Sequence, residues 1–193
     1  MTGAGAADAS AVADPLTAIA GVLRAEGGLL GAVVVDPGPD ADRRITAALA
    51  DAPRASVVGP DLALAAEATR EAELVHHAPE RARIVRTDDR DLALLAGDRL
   101  LALGLERLAA GGWTAEVAIL ADVVALVARL HAGAAWALGP AHHGGTGAPE
   151  AAQERTASLW SVAAAALGSG AEGAEALLLR AARAGRVPDA VAS

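Results

Sequence analysis

The chain has 193 residues, a net charge of −8 and 53% hydrophobic but only 2% aromatic residues. It contains no Cys, Phe, Tyr or Lys, so disulfides and thiolate metal sites are excluded and every side-chain cation other than histidine is arginine. The acidic balance argues against a nucleic-acid binder, which needs a basic face. A core made of Ala, Leu and Val favours helices, because Ala and Leu lose little side-chain entropy in them. The expectation is an all-α protein with one domain over 14–193.

Residues 1–13 are Ala/Gly-rich and polar and read as a disordered tail without the basic start and apolar run of a signal peptide. Asp14-Pro15 caps a helix that should run to Glu26 and stop at Gly27-Gly28. Residues 29–35, Leu-Leu-Gly-Ala-Val-Val-Val, suit a buried helix or a strand equally. The segment 36–42, with two prolines and a glycine, breaks regular structure. A short helix is expected over 43–52, and a longer one from Pro60 to His77, where Pro79 disfavours helical geometry at Ala78. Thr87-Asp88-Asp89 caps the next helix, which should reach Ala110 before Gly111-Gly112. The Asp88-Asp89-Arg90-Asp91 cluster reads as that cap with an acidic first turn, which suits the helix dipole, rather than as a relocated metal motif.

Thr114 starts a further helix to about His131. The Gly-, Pro- and His-rich stretch 133–149 reads as a loop, partly helical near Trp136, and two helices should follow over 151–167 and 171–184. No segment has the ~20 uninterrupted apolar residues of a membrane span. The strongest candidate, 117–130, is interrupted by Asp122 and Arg129. The protein reads as cytoplasmic, with no membrane span and no nucleic-acid partner. The pairs His76-His77 and His142-His143 suggest zinc, but adjacent helical residues point about 100° apart, and no cysteine supports them. Gly144-Gly145-Thr146-Gly147 has no following Lys and no preceding strand, so it is not a phosphate loop.

One stretch carries a more specific signal. Leu74-Val75-His76 and Ala96-Gly97-Asp98-Arg99-Leu100-Leu101 flank a basic loop. The arrangement resembles the first half of the trans-polyprenyl diphosphate synthases, where a helix ending Leu-Val-His-Asp-Asp opens an Asp-Asp-x-x-Asp motif and a later helix carries Ala-Gly-Asp-x-Leu-Leu. Weaker correspondences extend the resemblance over roughly residues 16–168. The family's Gly-Gly-Lys-x-x-Arg-Pro segment corresponds to 26–31, without its basic residues. Its Gly-Gln-x-x-Asp segment corresponds to 133–137, without its polar residues. Its Lys-Thr pair is matched by Arg155-Thr156.

The resemblance implies an isoprenoid synthase-like helical bundle, truncated here, and a chemistry that this chain departs from. In the family, two Asp-rich motifs hold Mg²⁺, a hard cation that needs oxygen ligands, against the substrate diphosphate. Here the first motif's aspartates are replaced by His77, Ala78 and Arg81, and nothing downstream resembles the second motif. No cofactor or metal site is therefore expected, and no prenyl-transfer activity of the chain alone. Arg81, Arg83, Arg86, Arg155 and Thr156 remain as possible diphosphate contacts.

Some members of the family are heteromers of a catalytic chain and a small, motif-poor chain. The implied role is that of the small chain: a non-catalytic subunit that supports a catalytic prenyl diphosphate synthase and modulates product length. An isoprenoid-binding or remodelled enzyme on a similar cavity is the alternative. An unrelated Ala/Leu bundle with an interaction role is a third reading. Apolar residues are spread widely around helices 89–110 and 114–131. Leu95, Leu103, Val117 and Val124 are the expected contacts with a partner, whether a synthase in a heterodimer or a second copy in self-association.

Overall fold

The computed structural model describes residues 14–137 and 147–184. The expectations for the tail 1–13, for His142-His143, for most of the glycine run 144–147 and for the Trp136 side chain lie outside the described residues. What is described is mostly helical, as the composition predicts. Among the described residues nine α-helices follow in order: α1 Pro15–Glu26, α2 Gly28–Ala32, α3 Arg44–Ala50, α4 Ala55–Val58, α5 Pro60–His77, α6 Arg90–Ala110, α7 Thr114–Ala137, α8 Gly147–Ser169 and α9 Ala174–Arg183. Among the described residues no helix is long and apolar enough to cross a membrane.

Local chemistry explains most boundaries. The Asp14 carboxylate accepts from the Thr17 amide at 3.2 Å and hydroxyl at 2.8 Å, capping α1. Leu16, Ile19, Ala20 and Leu23 then recur on one face and are buried. Gly27, at φ 71°, ends α1 where a side chain would strain the backbone. Asp89 caps α6 by accepting from the amides of Asp91 and Leu92 at 2.9 and 3.1 Å. The acidic cluster there is a helix start, as its position indicated.

Other boundaries differ from expectation. The ambiguous run 29–35 divides: α2 takes its first part, and the chain then extends. Val35 donates to the Ile84 carbonyl at 2.9 Å and Arg86 to the Val33 carbonyl at 2.9 Å, around an isolated antiparallel bridge between Val34 and Val85. The expected helix 43–52 is shorter, and both flanks of the expected loop 133–149 are helical. α7 continues to Ala137 because its Ala-rich end favours helix and one Gly133 costs only about 1 kcal/mol. α8 accommodates Pro149 in its first turn, where the missing amide is not needed. The short α4 and a 3-10 turn at Pro79–Arg81 carry no amphipathic signal and were not anticipated.

α5 is the central helix. It touches α1, α3, α4, α6, α7 and α8, and every residue from Leu64 to Val75 is buried. It feeds two apolar clusters. Leu62, Ala65 and Ala66 join one with α3, α7, α8 and α9, including Leu120, Trp160 and Leu167. Leu64, Ala68, Ala72, Leu74 and Val75 join another with α1, α6 and the 78–85 segment. α5 and α6 approach closely because α6 offers glycine at the contacts. A Cβ on Gly104 would lie 3.0 Å from the Ala65 carbonyl, and one on Gly97 would lie 2.0 Å from His76 Nε2. The two segments that carry the family resemblance, 74–76 and 96–98, are thus packing partners.

Candidate functional site

One face of α5 is buried and charged. Glu67 and Glu71 are fully buried, and Arg70, Glu73 and the nearby Arg83 are nearly so. Charges at such depth are tolerated only when each is answered by partners. The Glu71 carboxylate accepts from the amides of Arg83 and Ile84 at 2.6 and 2.8 Å and from Arg83 Nε at 2.8 Å. Glu67 accepts from the Thr46 amide and hydroxyl at 3.0 and 2.6 Å, and from Arg83 Nη1 at 2.5 Å. Arg83 also donates to the Asp42 and Glu67 carbonyls. Burial works against the Arg83 charge, but the two carboxylates outweigh it and hold the guanidinium above its ordinary pKa. This cluster pins the 78–86 segment and α3 to α5.

A cleft of about 310 Å³ opens beside it, lined by the 38–42 turn, Arg70, Leu74 and the 81–86 segment with Arg81, Arg83 and Arg86. The expected diphosphate contacts in the loop thus come together, and Arg70, which sequence reasoning missed, joins them from α5. Among the described residues Arg81 reaches only the Gln153 side chain of α8 at 3.3 Å, and Arg86 bonds the carbonyls of Ala82 and Val85. Arg155 and Thr156 are not part of this cleft. Thr156 is buried, its hydroxyl donating to the Ala152 carbonyl at 2.7 Å, and Arg155 is exposed on α8. The i, i+4 spacing of residues 152 and 156 on a helix hides that hydroxyl from any ligand.

The positions matching the family's aspartates are filled by other interactions. The His77 ring stacks on His131 of α7, with centroids 3.8 Å apart and planes within 4°. His131 Nε2 lies 3.3 Å from Glu73 Oε1, and Arg70 pairs with the same carboxylate. Desolvation, then His131 and His76, lower the His77 pKa to about 4. Ala78 is buried and has no donor, and Arg81 is cationic. Stacked rings direct their nitrogen lone pairs side by side rather than toward a common point. This set does not fit Mg²⁺, and among the described residues no group of three or more His, Asp or Glu could hold a metal ion. His76 lies over Gly97, with Nε2 3.2 Å from the Leu94 carbonyl and 3.7 Å from Asp98.

Of the expected partner contacts, Leu95 is 58% exposed and Val124 37% exposed. Val117 packs partly against the core cluster around α7 and α8. Leu103 is a correction: it is buried in the chain's own core, because the close α5–α6 approach turns its face inward. The exposed apolar residues of α6 are instead Leu94, Leu95 and Leu105, with Leu29 of α2 also exposed. Helical pattern alone could not choose between faces on a helix whose leucines are spread this widely. Compared with family models, curated proteins and solved structures, the chain matches none.

Proposed function

We propose that this protein is the non-catalytic member of a heteromeric prenyl diphosphate synthase, supporting a catalytic partner and modulating its product length. The observation that carries the reading is the contact between 74–76 and 96–98. His76 lies on a glycine whose substitution by any larger residue would clash with its ring. The two halves of the family's central signature are therefore kept as a packing unit, while the metal-binding positions between them carry a histidine stack, an alanine and an arginine. A chain retained for packing rather than for metal chemistry is what a supporting subunit requires. The charged face of α5 also disfavours the alternative of an isoprenoid binder, since a prenyl tail gains nothing beside Glu67, Arg70 and Glu73.

The partner surface in this reading is the exposed apolar part of α6, including Leu94, Leu95 and Leu105. A stable interface buries about 800 Å² on each side. The test is co-expression with a prenyl diphosphate synthase from the same genome, followed by co-purification and product analysis. The expected result is a complex whose product length differs from that of the synthase alone. Leu95→Glu should abolish that complex while leaving the circular dichroism of the isolated chain unchanged. A chain that binds no such synthase, or that elongates prenyl diphosphates by itself at around 1 s⁻¹, rejects the proposal.

A further inference from the structure

The solvent-facing side of α6 is apolar and acidic together. At about 100° per residue, Leu94, Leu105, Asp98, Asp91, Leu95 and Glu106 fall within one arc of about 120°. All six are exposed, Leu95 by 58% and the Asp98 and Glu106 side chains by 75% and 63%. Apolar side chains gathered on one ridge and bordered by charge mark a contact surface. The charge says what kind of partner suits it. Arg99 stands at the edge of the arc, but its guanidinium is engaged by Glu26 at 2.6 Å and Glu106 at 3.2 Å. Among the described residues Asp91 has no ion pair, and Asp98 has only the His76 ring, 3.7 Å away.

A second copy fits this face badly. A two-fold contact presents the same patch from both sides. With the helices parallel, each carboxylate meets itself. With them antiparallel, the register that sets Arg90 of one copy against Glu106 of the other also sets Asp98 against Asp98. The register that sets Asp91 against Arg107 sets Arg99 against Arg99. Opposed like charges cost affinity, whereas opposite charges steer the encounter and fix its register.

The shape of the patch is equally specific. Leu94 and Leu105 lie three turns apart, about 16 Å, so the occupant must be apolar along a line, as one face of a helix is. Asp91, Asp98 and Glu106 recur every seven or eight residues, the spacing at which flanking charges pair across two packed helices. We propose that the solvent-facing side of α6 docks one amphipathic helix of a partner protein, with arginines or lysines beside its apolar stripe, and not a second copy of this chain. The face is the one named in the partner reading above, on which this docking rests. Exposed ion pairs add little affinity, so the leucines supply the binding and the carboxylates its selectivity and salt dependence.

The probes are three synthetic helical peptides that share a leucine stripe, flanked by arginine, glutamine or glutamate, and a scrambled arginine peptide of the same composition. Each is titrated into the ¹⁵N-labelled full-length chain. The expected result is a saturable shift of α6 amides with the arginine peptide, at a Kd of about 100 μM or tighter, weakened about tenfold by glutamine and lost with glutamate. Raising the salt from about 0.05 to 0.5 M should weaken it severalfold. Leu95→Gln and Asp98→Asn should each weaken it about threefold or more, and Asp40→Asn, on the 38–42 turn, should not. Equal binding of the scrambled peptide, which the net charge of −8 alone would give, overturns the proposal. So does equal binding of the glutamine or glutamate peptide, or no binding of the arginine peptide because another part of the chain covers the face. A dimer of the chain alone that Leu95→Gln dissolves in sedimentation also overturns it. A synthase complex that survives Asp91→Arg combined with Asp98→Arg rejects this docking and leaves the heteromer reading standing. Selective binding of the arginine peptide without any synthase complex upholds the docking and rejects the heteromer.

Discussion

Arg83 and Arg70 are buried to nearly the same depth beside the same helix, yet their surroundings treat them oppositely. Arg83 enters from the 78–86 segment and finds two carboxylates and two carbonyls arranged around it. Arg70 issues from α5 itself and finds one carboxylate, an indole face and two recesses. One cation stands above its ordinary pKa and the other below it. Burial alone does not say what a charge is for. A fully answered charge holds segments together, and a partly answered one adds less to the fold.

The largest expected effect is at the answered charge. Arg83→Met strands Glu67 and Glu71 in the interior and should cost about 3–5 kcal/mol in urea or guanidinium unfolding. Arg70→Met should cost less, about 1–3 kcal/mol, because Glu73 keeps His131 Nε2 at 3.3 Å. Equal losses from the two variants would erase the contrast between the regions.

A comparable loss of about 1–3 kcal/mol is expected for Gly97→Ala, which drives a methyl group into the His76 ring. His76→Ala in the same chain should recover most of it, and a double-mutant cycle on urea midpoints measures the coupling. Simple addition of the two single losses would show that the glycine serves only its own helix.

The smallest effect is one of pH. His77 has a folded pKa of about 4, below the ordinary value near 6.5, so its neutral form is the one the fold favours. The stability it contributes is present above pH 6.5 and is lost as pH falls from there toward 4. A pH series of Tm should decline over that window in the wild type and decline less in His77→Phe. Identical profiles would place the acid sensitivity elsewhere.

Much of the fold was legible in the chain. Asp14-Pro15, Pro60 and Asp89 set the starts of α1, α5 and α6 because capping and proline geometry are local. The ends at Glu26, His77 and Ala110 followed from Gly27, Pro79 and Gly111 for the same reason. The candidate site was legible in part. Arg81, Arg83 and Arg86 are close in sequence and meet in one cleft, but Arg70 belongs to it only because the 78–86 segment folds back along α5.

What the amino-acid sequence determined by itself was helix: an Ala/Leu-rich composition with local caps and breakers. What only the tertiary structure decided was which side of each helix faces inward. The leucines of α6 are spread over more than one face, so the burial of Leu103 and the exposure of Leu95 depended on where Gly97 and Gly104 let α5 approach. The pairing of Glu67 and Glu71 with Arg83, of His77 with His131, and of Arg70 with Trp160 joins residues 12 or more positions apart. Such long-range pairing comes from the packing of whole elements, which local propensity does not encode.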